Sequence, residues 1–469
     1  MCETAFLQCI QPACRATFAL NAPIYECSKC RALLDVAYDW NRLTPPSTLQ
    51  AFEKRWATRS NPIDFSGVWR FRDLLPFAKD ADLVTIGEGQ TILQTPDTAA
   101  MSLPLRPGNL HLQYEGMNPS GSFKDNGMTA AFTMARMLGK QRVGCASTGN
   151  TSASLAMYAS LTRLPNGQPM RGVVFVGAGK IAFGKLSQAL DYGALTLQID
   201  GDFDACMARV REAADRIGLY LMNSVNPFRL EGQKTIMYRI LEGLRWQVPD
   251  WIVVPGGNLG NTSAFGKAWI ELKQLGLVSR IPRLAVINAA GANTLYELYT
   301  RRGVRWNNGN WDCDTVCNHY DEMTKQGRKA STIATAIEIA RPVNLSKALR
   351  ALDAMNGVVC EVTDDEILEE KALVGRHGFG CEPASAASVA GLRQLLANGT
   401  IDRDARVVCI LTGHALKDPD ATVKYHTGID TKGVTVSPGA SNPTGRHANL
   451  PIRVADNIDE ICRAIESSS

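Results

Sequence analysis

Short apolar runs alternate with longer amphipathic segments along most of the chain, from residue 83 to residue 425. The apolar runs, such as 171–176 and 407–411, are continuous rather than interrupted by polar residues, which predicts strands that are covered on both faces. The segments between them, such as 204–217 and 261–275, carry apolar residues at helical spacing. The alternation therefore predicts an α/β protein with parallel sheets and right-handed crossovers.

Changes in this pattern divide the chain into five parts. We predict a cysteine-rich module at 1–40, an N-terminal arm at 41–82, a large α/β domain at 83–127 and 226–428, a small α/β domain at 128–225, and a C-terminal linker with a short helix at 429–469. Parallel sheets bind their ligands beyond the carboxyl ends of the strands. We therefore expect the chemistry in the loops that follow the strands.

Composition and charge narrow the possible functions. The 469 residues include 50 Lys and Arg against 46 Asp and Glu, a formal charge of +4 without long blocks of one sign, which argues against nucleic acid or an anionic membrane as partner. No stretch approaches the roughly 18 apolar residues of a membrane span. The first ten residues lack the pattern of a secretory signal, so we expect a soluble, cytoplasmic protein.

The cysteines fall into two groups. Of the 13 in the chain, nine are scattered through predicted core and helix, which is typical of reduced thiols rather than of a disulfide framework. The other four are clustered near the N-terminus as two short pairs: Cys9 and Cys14, then Cys27 and Cys30. Two such pairs are able to hold one tetrahedral zinc. The alternative is a former metal ribbon, or a small hairpin whose thiols only pack.

A lysine stands in the loop 118–127, between a predicted strand at 111–115 and a predicted helix at 128–138. The positive end of a helix disfavours an ammonium, so Lys124 is a candidate free amine. A neutral amine is the nucleophile that forms a Schiff base with an aldehyde. The alternative is an ordinary exposed surface lysine.

Further loops after strands carry candidate anion sites. The hydroxyl-rich loop 147–152 suits a carboxylate, the glycine-rich loop 256–261 suits a phosphate monoester, and the segment 223–234 adds amides and two cations for a second anion. The glycine loop lacks the dinucleotide-binding pattern. Thr412 follows the last strand, and the segment 380–386 is expected to wall the same cleft. Each loop alone is ordinary, but together they predict a pyridoxal phosphate site.

Five motifs occur in a fixed order: Ser122-Phe-Lys-Asp, Ser147-Thr-Gly-Asn-Thr, Asn223-Ser-Val-Asn-Pro-Phe-Arg, Pro255-Gly-Gly-Asn-Leu-Gly-Asn and Thr412-Gly-His-Ala-Leu-Lys. Across residues 85–425, their combination resembles the threonine synthases, and most of all the plant-type branch of these fold type II pyridoxal-phosphate enzymes. The resemblance implies a tryptophan synthase β-like fold with two α/β domains around a cleft. It also implies a homodimeric lyase that converts O-phospho-L-homoserine and water to L-threonine and phosphate, the last step of threonine biosynthesis.

The resemblance also implies roles for individual residues. Lys124 would hold the cofactor covalently, Asn150 would contact its ring hydroxyl, and Thr412 its ring nitrogen. The cofactor phosphate would be bound by the glycine loop: Gly256, Gly257, Asn258, Leu259, Gly260 and Asn261. The substrate carboxylate would be bound by Ser147, Thr148 and Thr151. The substrate phosphate would be bound by Asn223, Arg229 and Lys234.

Three other functions stay open. A cysteate synthase or a threonine dehydratase would use the same cofactor, although a dehydratase would not need Arg229 and its neighbouring amides. A retired homologue whose cysteine module binds protein or nucleic acid is the non-enzyme alternative, and the intact Lys124 argues against it. Some plant-type members are activated by S-adenosylmethionine in the arm, and that site has no residue-by-residue match here.

Overall fold

The computed structural model describes residues 3–22, 24–177, 183–200, 203–428 and 445–467. The strands are β1 (Ala5–Cys9), β2 (Thr17–Ala19), β3 (Leu34–Tyr38), β4 (Ile92–Gln94), β5 (Leu110–Tyr114), β6 (Arg142–Ala146), β7 (Arg171–Gly177), β8 (Leu195–Ile199), β9 (Tyr220–Leu221), β10 (Trp251–Pro255), β11 (Arg283–Ala289), β12 (Val358–Val362) and β13 (Val407–Leu411).

The helices are α1 (Lys54–Ala57), α2 (Pro62–Phe65), α3 (Lys124–Met137), α4 (Asn150–Leu161), α5 (Phe183–Asp191), α6 (Phe203–Ile217), α7 (Pro227–Gly243), α8 (Gly260–Gln274), α9 (Thr294–Tyr296), α10 (Cys313–Lys325), α11 (Leu345–Ala354), α12 (Asp364–Arg376), α13 (Pro383–Ala397), α14 (Pro419–Thr427) and α15 (Ile458–Glu466). A π-helical turn follows α9 at Glu297–Arg301.

Two mainly parallel sheets form the body of the protein. The larger has the order β12-β11-β10-β13-β5-β4, and its edge strand β4 is antiparallel to β5 while the other pairs are parallel. The smaller has the parallel order β8-β7-β6-β9. The central strands β10 and β13 are buried along their whole length, because helices cover both faces. The predicted fold class is confirmed, and the domain boundaries stay a prediction.

The N-terminal module is a three-stranded antiparallel sheet, β2-β1-β3, that contacts both domains. Towards the small sheet, the Tyr25 hydroxyl accepts a hydrogen bond from the backbone N–H of Leu221 in β9, at 2.9 Å. Towards the large domain, the carboxylate of Asp35 pairs with Lys347 and Arg350 on α11, at 3.0 and 2.6 Å. The module therefore contacts both the edge strand β9 of the smaller sheet and helix α11.

The arm at 41–82 is packed into the core rather than extended over the surface. Trp69, Phe71 and Phe77 are fully buried. The indole N–H of Trp69 donates to the hydroxyl of Thr129 in α3, at 2.9 Å. The arm thus supports the helix that begins at Lys124.

Two helices begin earlier than the apolar pattern predicts. Helix α3 begins at Lys124 rather than at residue 128, so the candidate lysine lies in its first turn. Helix α7 begins at Pro227 rather than at residue 230, because the Asn226 side chain caps it by accepting from the N–H of Phe228 and proline suits the first helical position. The first turn of α3 is polar, and that of α7 holds a proline and an arginine around Phe228, so neither turn shows the apolar spacing of a helix.

At the other end of the chain, α15 agrees with the predicted short helix, and residues 429–444 of the predicted linker lie outside the described residues. None of the described helices has the length and apolar character needed to cross a membrane.

Helices α3 and α7 pack so closely that glycine is required between them. A Cβ atom added to Gly232 would lie 1.8 Å from the carbonyl oxygen of Asn126 and 3.1 Å from the Cα of Gly127. We expect Gly232→Ala to lower the free energy of unfolding by about 1–3 kcal/mol or more, because the helices must separate to admit the methyl group. Chemical denaturation followed by circular dichroism measures this change.

Gly375 in α12 is the matched control, since a Cβ there meets no atom within 4 Å. In Gly375→Ala the helix propensity of alanine acts alone, so stability should stay unchanged or rise by up to about 1 kcal/mol. Equal effects of the two substitutions would contradict the close helix contact.

Candidate active site

Lys124 lies where the carboxyl end of the large sheet meets the start of α3. The loop before it runs beside the loop after β13, since the N–H of Phe123 donates to the carbonyl of Thr412 at 2.9 Å and Ser122 forms a β-bridge with Gly413. Burial of the ammonium, with help from the positive charge of Arg229, lowers the pKa of Lys124 to about 7. A large fraction of this amine is neutral and nucleophilic at neutral pH.

Asp125, the next residue, fixes the lysine loop. Its carboxylate accepts hydrogen bonds from the N–H and hydroxyl of Ser120, at 2.7 and 2.6 Å, and from the hydroxyl of Ser154 in α4, at 2.5 Å. Burial raises the pKa of Asp125 to about 6, although these bonds oppose the shift. The carboxylate thus holds the lysine loop against a helix of the small domain.

The hydroxyl-rich loop leads into α4, as the sequence predicts, and the carboxylate site there stays a prediction. Ser147, Thr148 and Thr151 are half-buried around the helix start. Gly149 is the N-cap and provides no side chain to the first turn, so the N–H groups there remain open to an anion.

The glycine loop leads directly into α8. Leu259 caps this 15-residue helix in a left-handed conformation, with φ 62°, and no side chain bonds to the first turn. Next to it, the side-chain oxygens of Asn261 and Thr262 are buried and have no partner among the described residues. Buried polar atoms seldom stay unpaired, so these atoms point to a bound polar group. The Thr262 hydroxyl and the N–H groups of the helix start are donors that suit an anion, whereas the amide oxygen of Asn261 only accepts.

Arg229 lies in the first turn of α7 and is 1% exposed. One guanidinium nitrogen donates to the carbonyl of Met222 at 2.9 Å, while Nε and Nη2 have no partner in the described structure. Burial lowers the pKa of Arg229 to about 10, so the group is still charged at neutral pH. A buried, charged guanidinium with two unused donors is a strong candidate for binding a phosphate or carboxylate.

Asn223 lies shortly before α7, and its side-chain amide already makes two hydrogen bonds. Its side-chain oxygen accepts from the N–H of Ala146 at 3.1 Å, and its nitrogen donates to the carbonyl of Ala146 at 3.0 Å. The amide therefore joins the segment 223–234 to the end of β6, directly before the hydroxyl-rich loop. One N–H of the amide remains for a ligand.

Lys234 is not part of the site, which corrects the prediction that it binds the substrate phosphate. Its fully buried ammonium pairs with Glu231 at 2.7 Å and with Glu271 at 2.5 Å, and it lies over the ring of Tyr38. These two carboxylates raise its pKa. The positive charge of Lys234 is therefore already neutralised. It lies on the face of α7 that contacts Tyr38 at the end of β3.

The structure adds one residue that was not predicted as a site residue, Glu382. Its carboxylate accepts from the amide of Asn150, at 3.1 and 2.9 Å, and from the hydroxyl of Thr412, at 3.0 Å. The predicted partners of the cofactor's ring hydroxyl and ring nitrogen are thus brought together around one acid. The sequence signal was the segment 380–386, expected only to wall the cleft.

The N-terminal cysteines converge on a second candidate site, away from the lysine. The four ligand sulfurs lie within 4.8 Å of one another: Cys9, Cys14, Cys27 and Cys30. The sulfurs of the first and last are 3.4 Å apart, and those of the middle two 3.8 Å. Tetrahedral ligands about 2.3 Å from a zinc are about 3.8 Å from each other, so the spacing fits the metal.

The pKa of Lys124 is open to direct measurement. We expect the rate at which pyridoxal phosphate forms a borohydride-reducible adduct to rise with pH through a midpoint of about 7. In Arg229→Met the midpoint should move upwards, because loss of the neighbouring positive charge stabilises the ammonium. The adduct is quantified by absorbance after reduction at each pH.

Arg229→Lys is the matched control, since it keeps the charge and should keep the midpoint. A midpoint in Arg229→Met equal to that of the unsubstituted protein would show that Arg229 does not act on Lys124.

Comparisons with known proteins identify the family of this chain. The model of the family described as "Pyridoxal-phosphate dependent enzyme" matches residues 84–413. Threonine synthase from Methanocaldococcus jannaschii is 41% identical over 418 residues, which cover 89% of this chain and 94% of that protein. "Threonine synthase 2, chloroplastic" from Arabidopsis thaliana is 36% identical over 425 residues, covering 89% of this chain and 77% of that protein.

Solved structures agree on the fold. Threonine synthase from Escherichia coli aligns with a TM-score of 0.60 at 19% identity, covering 99% of this chain and 100% of that chain. Maize serine racemase aligns with a TM-score of 0.53 at 15% identity, covering 78% of this chain and 93% of that chain. On the family match and the identities with the relatives, the chain belongs to the threonine synthases, within the family of pyridoxal-phosphate-dependent enzymes.

Proposed function

We propose that the protein converts O-phospho-L-homoserine and water to L-threonine and phosphate. The observation that carries this proposal is Arg229, a buried guanidinium with two unused donors close enough to Lys124 to lower its pKa. A substrate that is both an amino acid and a phosphate ester requires such a cation beside the reactive amine. The relatives named threonine synthase support the same reaction.

The residues of the cleft fit pyridoxal phosphate as the cofactor. The unpartnered hydroxyl of Thr262 and the N–H groups at the start of α8 suit its phosphate, with the loop formed by Gly256, Gly257, Asn258, Leu259, Gly260 and Asn261. Asn150 and Thr412 suit the ring hydroxyl and the ring nitrogen, and Lys124 provides the covalent link. When bound, this cofactor supplies an electron sink that acidifies the C–H bonds of an attached amino acid.

The other residues of the cleft orient the substrate. Ser147, Thr148 and Thr151 bind the α-carboxylate at the start of α4, which directs the Cα–H bond towards Lys124. Arg229 and the remaining N–H of Asn223 bind the phosphate, so the bond from Cγ to the leaving oxygen is held beside a positive charge. The charge stabilises the departing dianion.

Lys124 moves the protons. With a pKa of about 7, its free amine accepts a proton from Cα, and later from Cβ, at neutral pH. The protons are returned one to Cγ, which becomes the methyl carbon after the phosphate has left, and one to Cα after water has added at Cβ, so the two protons removed are balanced by two delivered. Asp125 fixes the loop that carries Lys124, so this one amine stays in place for all of the proton transfers.

Two alternatives use the same cofactor and differ in substrate. A cysteate synthase would act on O-phosphoserine with sulfite, and a threonine dehydratase would release 2-oxobutyrate from threonine. Arg229 argues against the dehydratase, whose substrate has no phosphate. Against a retired homologue stands Lys124, whose amine keeps a lowered pKa.

The first experiment measures phosphate and threonine side by side from the purified protein supplied with O-phospho-L-homoserine. We expect equal amounts of both products, and none from Lys124→Ala. In Arg229→Ala we expect kcat/KM to fall roughly 100-fold, the loss of one or two charged hydrogen bonds of about 1.5–3 kcal/mol each. Arg216→Ala, at an exposed position of α6, should leave kcat/KM unchanged.

Release of phosphate from O-phosphoserine only when sulfite is present, with no turnover of phosphohomoserine, would replace the proposed reaction by cysteate synthesis. An Arg229→Ala enzyme with undiminished kcat/KM would remove the role given to this residue.

We also propose that the four N-terminal cysteines bind one structural zinc. Besides the sulfur spacing, the residues that directly follow Cys14 and Cys30 support this: Arg15 and Arg31 both adopt left-handed conformations, with φ 46° and 64°. A strained turn of this kind at each pair folds the backbone around the sulfurs, and strain of this kind persists where surrounding structure requires it.

Metal analysis of protein purified without chelators should find about one zinc per chain. In Cys27→Ser the zinc should be lost and the thermal midpoint should fall, because metal binding contributes free energy to the fold. Cys317→Ser, at an exposed cysteine outside the module, is the control and should change neither quantity. Protein without zinc but with the same thermal midpoint as metal-loaded protein would exclude a structural metal.

We further propose a cytoplasmic homodimer. The twelve free cysteines of the described residues, five of them buried outside the N-terminal cluster, suit a reducing compartment. Dimerisation rests on the resemblance to the threonine synthases, and sedimentation measures it.

A further inference from the structure

Glu382 is the buried acid of the cleft to which the proposed reaction gives no role. It caps α13, is 4% exposed, and its N–H donates to the carbonyl of Gly413 at 3.0 Å. A Cβ on Gly413 would lie 2.6 Å from its carboxylate oxygen, so the acid group lies directly over this glycine. Its position is therefore fixed by backbone on two sides.

The carboxylate contacts the two side chains that are proposed to hold opposite ends of the cofactor ring. The side-chain amide of Asn150 donates a hydrogen bond to it, and the hydroxyl of Thr412 donates another. The Thr412 hydroxyl also lies 2.9 Å from the hydroxyl of Ser385. Thr412 has one proton and thus one hydrogen bond to donate, for which these groups compete with any ligand.

Several charged and titratable groups face Glu382. Lys124 approaches from α3, and Lys417 from the turn after β13. Cys381 precedes it, and Lys371 of α12 faces that thiol. Burial raises the pKa of Glu382, while the bonds from Asn150 and Thr412 and the two lysine charges oppose the shift. Glu382 therefore takes up a proton at a higher pH than an exposed glutamate does.

The protonation state of this acid decides which way the Thr412 hydroxyl points. An ionised carboxylate only accepts, so it takes the proton of Thr412 for its own hydrogen bond. A protonated carboxyl has an O–H to donate to the Thr412 oxygen, which leaves the Thr412 proton free for another acceptor. The second arrangement is the one in which Thr412 donates to a ring nitrogen.

We propose that Glu382 is a positioning residue that directs the Thr412 hydroxyl, withholding its proton from the cofactor ring nitrogen when ionised and releasing it when protonated. This rests on the proposed function in one respect, the assignment of Thr412 to the ring nitrogen. Glu382 makes the hydrogen bonding of the ring dependent on pH, although the ring partner itself is a hydroxyl that does not titrate.

The test uses the full-length protein loaded with pyridoxal phosphate, without substrate, and records the pH midpoint of the cofactor absorption band. Glu382→Gln should move the midpoint by about half a pH unit or more, because an amide always offers a donor to Thr412 and carries no charge. Thr412→Val should also move it, and the double variant should shift no further than the larger single shift. A double variant whose midpoint shifts no further than the larger single shift shows that Glu382 acts through Thr412.

Glu370→Gln is the matched control, a buried acid of α12 paired with Arg393, and it should leave the midpoint unchanged. Shifts that add in the double variant would overturn the proposal, since Glu382 would then act only as a charge. An unmoved midpoint in Glu382→Gln would overturn it as well. If Glu382→Gln does not fold, Thr412→Val alone decides: an unchanged midpoint in that variant overturns the proposal, and a moved one supports it.

The proposed function fails separately. Because no substrate is present in these spectra, a protein that shows the coupled shifts yet releases no phosphate from phosphohomoserine would retain the role of Glu382 and lose the proposed reaction.

Discussion

The backbones of α3 and α7 meet at Gly127 and Gly232, and the reactive groups depend on that contact. Lys124 and Arg229 each lie in the first turn of one of these helices, so the distance between the helices sets the distance between two cations. Both cations also lie near the positive end of a helix, where a positive charge is least favoured. The cleft therefore disfavours the charged form of Lys124, and it leaves Arg229 as a buried positive charge that suits an anion.

Burying a cation without an acidic partner lowers the stability of the fold. In α7 this applies to Arg229 alone among the buried charged residues that the structure describes. Three other charged residues of the same helix are buried and fully paired: Glu231 and Lys234 with each other and with α8, and Arg239 with Glu115 at 2.7 Å. Breaking such a pair leaves an uncompensated buried charge, which destabilises a protein by several kcal/mol. Arg229 differs from them by having no acidic partner in the described structure, so its counter-charge has to come from a ligand.

The sequence was informative where function follows from position on a parallel sheet. Lys124, the hydroxyl loop and the glycine loop all follow strands and lie at helix starts, so their positions in the fold were predictable. Lys234 was wrongly grouped with Arg229, because five residues on a helix turn the side chain by about 140°, to another face. Glu382 was missed as a site residue because its partners lie 232 and 30 positions away, and no local pattern reports such contacts.

The bond between Tyr25 and β9 has a consequence for solubility. Strand β9 has two residues and pairs with β6 on one side, which leaves its other side as an edge of the small sheet. The hydroxyl of Tyr25 takes up the N–H of Leu221 on that edge, and the ring of Tyr25 lies 6.1 Å from that of Tyr220. Exposed sheet edges are templates for pairing between molecules. The cysteine module therefore covers this edge of the small sheet at Leu221, so that the N–H there is not offered to a strand of another molecule.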